Sequence, residues 1–159
     1  MVQEFIADDK KHFTDSIFYE IELTAKYCQM LGRQAFEKFG IDIPLEEFTI
    51  LDTIFCNPGI CQRDIAKIVL RDRANTGKLL DNLEKKGLIV RKLNIKNNRP
   101  VKIAELTEAG IAKTNEVSQK FRPHVDLIKE KIQNSDLSRL RDMLKELREV
   151  LNNTLEIKI

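Results

Sequence analysis

The spacing of the apolar residues is the feature that most restricts this chain. Along almost its whole length they recur at steps of three and four, and only between Leu88 and Ile103 does the step fall to two. Steps of three and four line one face of a helix, whereas a step of two lines one face of a strand. A mainly helical chain with one small β-hairpin is therefore expected. Phe13, Ile17, Ile21, Cys28, Leu31, Ala35 and Phe39 form the first stripe, which predicts a long helix over 11–39 closed by Gly40. Pro44 suits the first turn of a second helix carrying Leu45, Phe48, Leu51 and Phe55. Asn57-Pro58-Gly59 then breaks the chain, and Ile60 is at most a one-pair strand stub.

A third, two-turn helix follows over 62–69, with Ile65, Ala66 and Val69 inward and Leu70-Arg71 as a tight connection. Asp72 is placed to cap a fourth helix that buries Leu79, Leu80 and Leu83 and stops at Gly87. Two short helices about a tight turn have helix-turn-helix spacing. Leu88, Val90, Ile95, Val101 and Ile103 then alternate with polar residues, predicting a hairpin that turns over 96–100. Thr107 caps a fifth helix with the stripe Ile111, Ser118, Phe121, Val125, Ile128 and Ile132, bent by Pro123. Ser135 caps the last helix, where Leu137, Leu140, Leu144, Leu147 and Leu151 make a short heptad seam. That seam leaves an apolar edge which a monomer of 159 residues is poorly able to cover.

Charge is separated along the chain behind a net value of +2. Residues 60–103 carry twelve Lys or Arg against four acids, a net +8, leaving −6 on the rest. A basic segment on an acidic remainder points to a polyanion, nucleic acid ahead of a membrane surface. No stretch is long and apolar enough to span a bilayer, and the N-terminal residues lack the apolar core of a signal peptide, so a soluble, cytoplasmic protein is expected. Cys28, Cys56 and Cys61 do not form a secreted disulfide framework. His12 and His124 are the only histidines and no CxxC occurs, so neither a metal site nor a cofactor is expected. An enzyme is not expected either, because the chain has no glycine-rich phosphate loop and no nucleophile elbow.

The segment Asp72-Arg73-Ala74-Asn75-Thr76-Gly77-Lys78-Leu79-Leu80-Asp81-Asn82-Leu83-Glu84-Lys85-Lys86-Gly87-Leu88 resembles the recognition helix of the MarR family of bacterial transcription regulators, and Leu106-Thr107-Glu108-Ala109-Gly110 resembles the family's stretch after the wing. The resemblance covers nearly the whole chain. It implies a single domain over 1–159: a winged helix-turn-helix module over 45–106, with dimerisation helices over 11–39 and 108–157. It further implies a homodimeric repressor that reads a pseudo-palindromic operator in double-stranded DNA and is released by a small aromatic or lipophilic molecule. Three departures stand out: Asn98-Arg99-Pro100 replaces the family's acid-Arg-Arg at the wing, Cys61 stands where Ser or Thr usually caps, and Gly77 interrupts the fourth helix.

A helix fits the major groove, so the fourth helix is the expected reader, with Arg73, Asn75, Thr76 and Lys78 toward base edges. Gln62, Arg63, Arg71, Lys92 and Lys96 are assigned to phosphates, which position without specifying. Arg99 at the hairpin tip suits a narrow minor groove. Tyr19, Tyr27, Phe48 and Phe121 are candidates for an effector cleft, and Leu137, Leu140, Leu144, Leu147 and Leu151 for the dimer seam. Cys56 and Cys61 flank the turn before the third helix and are candidates for a thiol switch, whereas Cys28 lies too deep in the first helix to match the family's peroxide sensors. The alternative reading is a winged-helix module whose basic hairpin binds a protein partner without sequence-specific DNA binding.

Overall fold

The computed structural model describes residues 12–96 and 99–155, the side chains of Lys96, Arg99 and Leu155 excepted. The chain divides into two compact units, Met1–Leu45 and Glu46–Ile159.

In the first unit a 3-10 turn, Phe13–Asp15, leads into helix α1, Ile17–Lys38. The helix starts later than its apolar stripe predicts, because Ser16 is extended (φ −92°, ψ 154°) and caps it, its hydroxyl accepting from the Tyr19 amide. Lys11, where the stripe begins, lies outside the described residues. At the other end the amides of Gly40 and Ile41 donate to the carbonyls of Glu37 and Phe36, closing the helix at the expected glycine.

Helix α2, Leu45–Cys56, runs into the second unit. Its inward residues are Ile50, Leu51 and Ile54, while Phe55, expected inside, is 44% exposed. Ile54 and Phe55 are neighbours that fit two phases of the same stripe, and the core takes the Ile50–Ile54 phase. Strand β1, Ile60–Cys61, makes two antiparallel pairs with the later β3, one more than the expected stub. Helix α3, Gln62–Ile68, buries Ile65 and Ala66; helix α4, Arg73–Lys85, buries Leu80 and Leu83. Between them Leu70 holds φ 52°, the one non-glycine positive φ among the described residues. The left-handed region costs a residue with a Cβ about 1–2 kcal/mol.

Strands β2, Ile89–Lys96, and β3, Arg99–Leu106, pair over their whole length, and the sheet order is β1-β3-β2. The expected turn over 96–100 is thereby narrowed: Lys96, Arg99 and Pro100 belong to the ladder, and Asn97 and Asn98 lie outside the described residues. Ile89 is buried at the base of the hairpin and Val90 is exposed, the reverse of the expected phase. In the run Leu88-Ile89-Val90 a one-residue slip exchanges the faces.

Helix α5, Glu108–Lys131, contains Pro123 and is capped as expected by Thr107, whose hydroxyl accepts from the Gly110 amide and donates to the Gly87 carbonyl at 2.6 Å. Gly110 lies so close to the chain that a Cβ there would stand 2.0 Å from the Leu88 carbonyl oxygen. The start of α5 is thus stitched to the end of α4. The buried stripe of α5 is Gly110, Thr114 and Val117, and the expected Ile111, Val125, Ile128 and Ile132 are exposed. Helix α6, Asn134–Leu155, begins one residue before Ser135, within the scatter of helix boundaries. It packs on α5 with Leu137, Leu144, Leu147 and Leu151 half-buried and Leu140 exposed.

Candidate nucleic-acid interface

Helix α4 is held by its own first turn. The Asp72 carboxylate accepts from the Asn75 amide at 2.8 Å and from the Asn75 side-chain amide at 2.5 Å. Those two bonds, the backbone one first, hold the Asp72 carboxyl below its ordinary range. Asn75 remains exposed, with its side-chain NH₂ engaged and its carbonyl oxygen without a partner among the described residues. Arg73 and Lys78 are exposed on the same helix, with no side-chain partner among the described residues. Thr76 must be withdrawn as a base reader: it is fully buried and its hydroxyl donates to the Asp72 carbonyl at 2.9 Å. Its place was visible in the sequence, since Thr76, Leu80 and Leu83 stand at i, i+4 and i+7 on one stripe.

Two of the three departures from the family pattern, Gly77 and Cys61, find local explanations. The Gln62 side-chain NH₂ donates to the Arg73 carbonyl at 3.0 Å, and a Cβ at Gly77 would meet the same nitrogen at 3.0 Å. Gly77 therefore makes room for a side chain of α3 to clasp α4, and Gln62 spends this donor inside the protein. Cys61 occupies the cap position of α3 without accepting; its thiol donates to the Asp64 carboxylate at 3.1 Å instead. Cys56 is exposed at the end of α2, and Cys28 is exposed on α1.

Arg63, Lys67, Arg71 and Arg73 line a cleft of about 290 Å³ at the turn between α3 and α4, floored by Ala66 and Leu70. Arg63 has only a long 3.5 Å contact to Asp64, with 59% of its side chain exposed. Of the cations expected on the hairpin, Lys92 is paired with Glu105 across the strands. The side chains of Lys96 and Arg99, assigned to phosphate and minor groove, lie outside the described residues.

Two polar clusters carry the interface without being part of it, and sequence reasoning missed both. The Arg91 guanidinium on β2 donates to Glu84 and to Asp81 on α4, and its backbone amide donates to Glu84 as well. The bonds from Arg91 hold the Glu84 carboxyl below its ordinary range, and those to Glu84 and Asp81 raise the guanidinium pKa further. On the far side of α4, the buried Glu47 of α2 accepts from Lys86 at 2.6 Å and from Asn82 at 3.3 Å. The first cluster locks the hairpin to α4 and the second locks α2 to it. The one signal in the sequence was Asp81 and Glu84, two acids at helical spacing inside a basic segment.

Phe48 and Phe121, expected in an effector cleft, line one cavity of about 380 Å³ between α2 and α5, together with Asp52, Arg122, Asp126 and Lys129. Tyr19 is half-buried on α1 with its ring edge-on to Phe13, and Tyr27 is exposed. Among the described residues no three His, Cys, Asp or Glu side chains gather as metal ligands, and no helix is long and apolar enough to cross a membrane.

The sequence model of the MarR family matches residues 43–101. No curated protein matches the chain by sequence. Among solved structures, the MepR–DNA complex of S. aureus is 24% identical with a TM-score of 0.69, over 86% of this chain and 96% of that one. A mutant MarR from E. coli complexed with operator DNA is 21% identical with a TM-score of 0.70, over 87% and 99%. The repressor CouR bound to a DNA duplex is 23% identical with a TM-score of 0.71, over 85% and 94%. At these identities the likeness is one of fold, a winged helix with long flanking helices.

Proposed function

We propose that this protein, whose residues 43–101 match the sequence model of the MarR family, is a homodimeric regulator of transcription that binds double-stranded DNA through α4. The observation that carries the reading is the first two turns of α4, which leave Arg73 and Lys78 exposed and fix Asn75 by the Asp72 cap. Arginine and lysine donate to guanine O6 and N7, and the Asn75 carbonyl oxygen accepts from a base amino group. Arg63, Lys67 and Arg71 sit beside them for phosphates, and the net +8 of residues 60–103 supports the same partner. The three neighbours above were solved bound to DNA, which agrees with this use of the fold.

Two copies are proposed because the apolar stripes of α1, α5 and α6 are left largely exposed, with Tyr27, Ile128 and Leu140 each more than half so. A two-fold pair presents its reading helices about 34 Å apart, one turn of DNA, to a pseudo-palindromic operator. The cavity between α2 and α5 is the proposed effector site, with Phe48 and Phe121 as its apolar walls. No reaction is proposed.

Selection of bound fragments from genomic DNA tests the reading. Wild type is expected to recover one related set of sequences, and Arg73→Ala with Asn75→Ala to lose at least tenfold in discrimination among them while keeping fold and dimer. Equally weak binding of wild type to every duplex would favour a module that binds protein through its basic hairpin.

A further inference from the structure

Helix α4 is braced unevenly. Its later turns are held by ion pairs, Asp81 and Glu84 to Arg91 on β2 and Lys86 to Glu47 on α2. Among the described residues no ion pair joins residues 73–80, which carry Arg73, Asn75 and Lys78, to another element. Packing beside the first turn is open as well, since the cleft of about 290 Å³ lies between α3 and α4 and Leu70 at the turn is 59% exposed. Thr76 ties this end of α4 to the core. Toward α3 the gap is spanned by the Gln62 side-chain NH₂, which donates to the Arg73 carbonyl at 3.0 Å.

Gly77 is the counterpart of Gln62. A helical carbonyl accepts from the amide four residues on, so the Arg73 oxygen lies beside Gly77. A Cβ at Gly77 would stand 3.0 Å from the Gln62 nitrogen and press it away from that oxygen. Glycine weakens a helix interior, and here it leaves the space through which Gln62 reaches its acceptor.

The two helices thus joined have different tasks in the DNA-binding reading above. Arg63 and Lys67 of α3 lie toward phosphates, which position the protein along the duplex, while Arg73, Asn75 and Lys78 of α4 meet base edges, which specify. Bases are read correctly when the register set by α3 is carried over to α4. We propose that Gln62 and Gly77 form a positioning clasp that carries it, so that Gln62 determines sequence discrimination without touching a base. This role rests on that DNA-binding reading. An arginine on guanine O6 and N7 needs both bonds aligned, and one such pair is worth roughly fivefold to a hundredfold in discrimination. The attraction of a cation to phosphate is sequence-independent and survives a small displacement of α4.

The test compares the full chain with three variants on two duplexes, one recovered from the genomic selection and the same duplex with its half-sites scrambled, across a range of salt concentrations. Gln62→Met keeps the length of the side chain and removes the donor. Gly77→Ala keeps the donor and takes its space. Each is expected to lower the ratio of the two affinities about tenfold. Affinity for the scrambled duplex and the slope of log affinity against log salt should hold, because no cation is removed. The double variant should lose no more than either single one, because both changes act on one bond. That bond is exposed, so melting temperatures should stay near wild type. Wild-type discrimination in either single variant would overturn the clasp while leaving DNA binding intact. Losses that multiply in the double variant would overturn it too, by showing that the two residues act separately. So would an equal weakening on both duplexes, which would make Gln62 a direct phosphate contact. A wild type that binds neither duplex, or both alike, would overturn the DNA-binding reading, and the clasp with it.

Discussion

Helices α4 and α6 are made of similar material, leucines at steps of three and four among charged residues, yet they lie in opposite surroundings. In α4, Leu80 and Leu83 are fully buried, and the helix is braced by half-buried ion pairs, Arg91 to Glu84 and Asp81 on one side and Lys86 to Glu47 on the other. In α6 no described residue is fully buried, and the pair Arg141–Asp142 lies in open solvent. The winged helix-turn-helix thus has its core within one chain, whereas the stripe of α6 is at most half-buried where it packs on α5. Burial supplies the main driving force for folding and exposed ion pairs supply almost none. The first region should therefore stay folded when the second is disturbed.

The sharpest way to break that contrast is to charge the outer side of α6. Leu140 and Met143 are 52% and 56% exposed in the single chain, so Leu140→Asp with Met143→Asp costs little within the protomer. Sedimentation should show separated protomers, with an unchanged melting temperature for the winged helix. Affinity for a palindromic duplex should fall a hundredfold or more, because the second head no longer binds as part of the same molecule. A pair that stays dimeric would mean that α5 alone covers the seam.

Gly110→Ala strikes the other region. The added methyl carbon would meet the backbone carbonyl of Leu88, which cannot swing aside as a flexible side chain does. Denaturant unfolding should show a loss of about 3 kcal/mol, at the upper end of ordinary overpacking. A loss below about 1 kcal/mol would mean that the junction of α4 and α5 is looser than described.

The same contrast explains what was legible in the sequence. Local chemistry could be read directly: Asp72 and Thr107 cap helices because each side chain needs only the amide three residues on, and Gly40 and Gly87 end them. Phase was harder to read wherever apolar residues adjoin. Ile54-Phe55 and Ile89-Val90 each offer two solutions, and only the packed core chooses between them. The bracing clusters were out of reach, since Lys86 and Glu47 are 39 positions apart and no periodicity joins them. Of the four residues proposed to read bases, Arg73, Asn75 and Lys78 are exposed, while Thr76 belongs to the buried stripe, which a count of polar residues conceals. Leu70 gave no sign of its left-handed backbone, because glycine is the residue that usually announces one.

The gentlest test concerns the brace itself. The Glu84 carboxyl is held below its ordinary value of 4.5 by the bonds from Arg91, so the folded state binds its proton less readily than the unfolded chain does. Stability from this pair is complete above the ordinary value and is lost as pH falls through the lowered one. Arg91→Ala should therefore cost about 1 kcal/mol at neutral pH, a modest figure because the Glu84 and Asp81 side chains are 38% and 52% exposed and solvent screens them. In acid, where Glu84 is protonated in both proteins, the gap should close; Asp72 titrates alike in each and drops out of the difference. Urea unfolding of wild type and variant across that range measures it. A gap that stays constant with pH would show that Arg91 holds the hairpin to α4 by packing alone, and charge would then no longer separate the two regions.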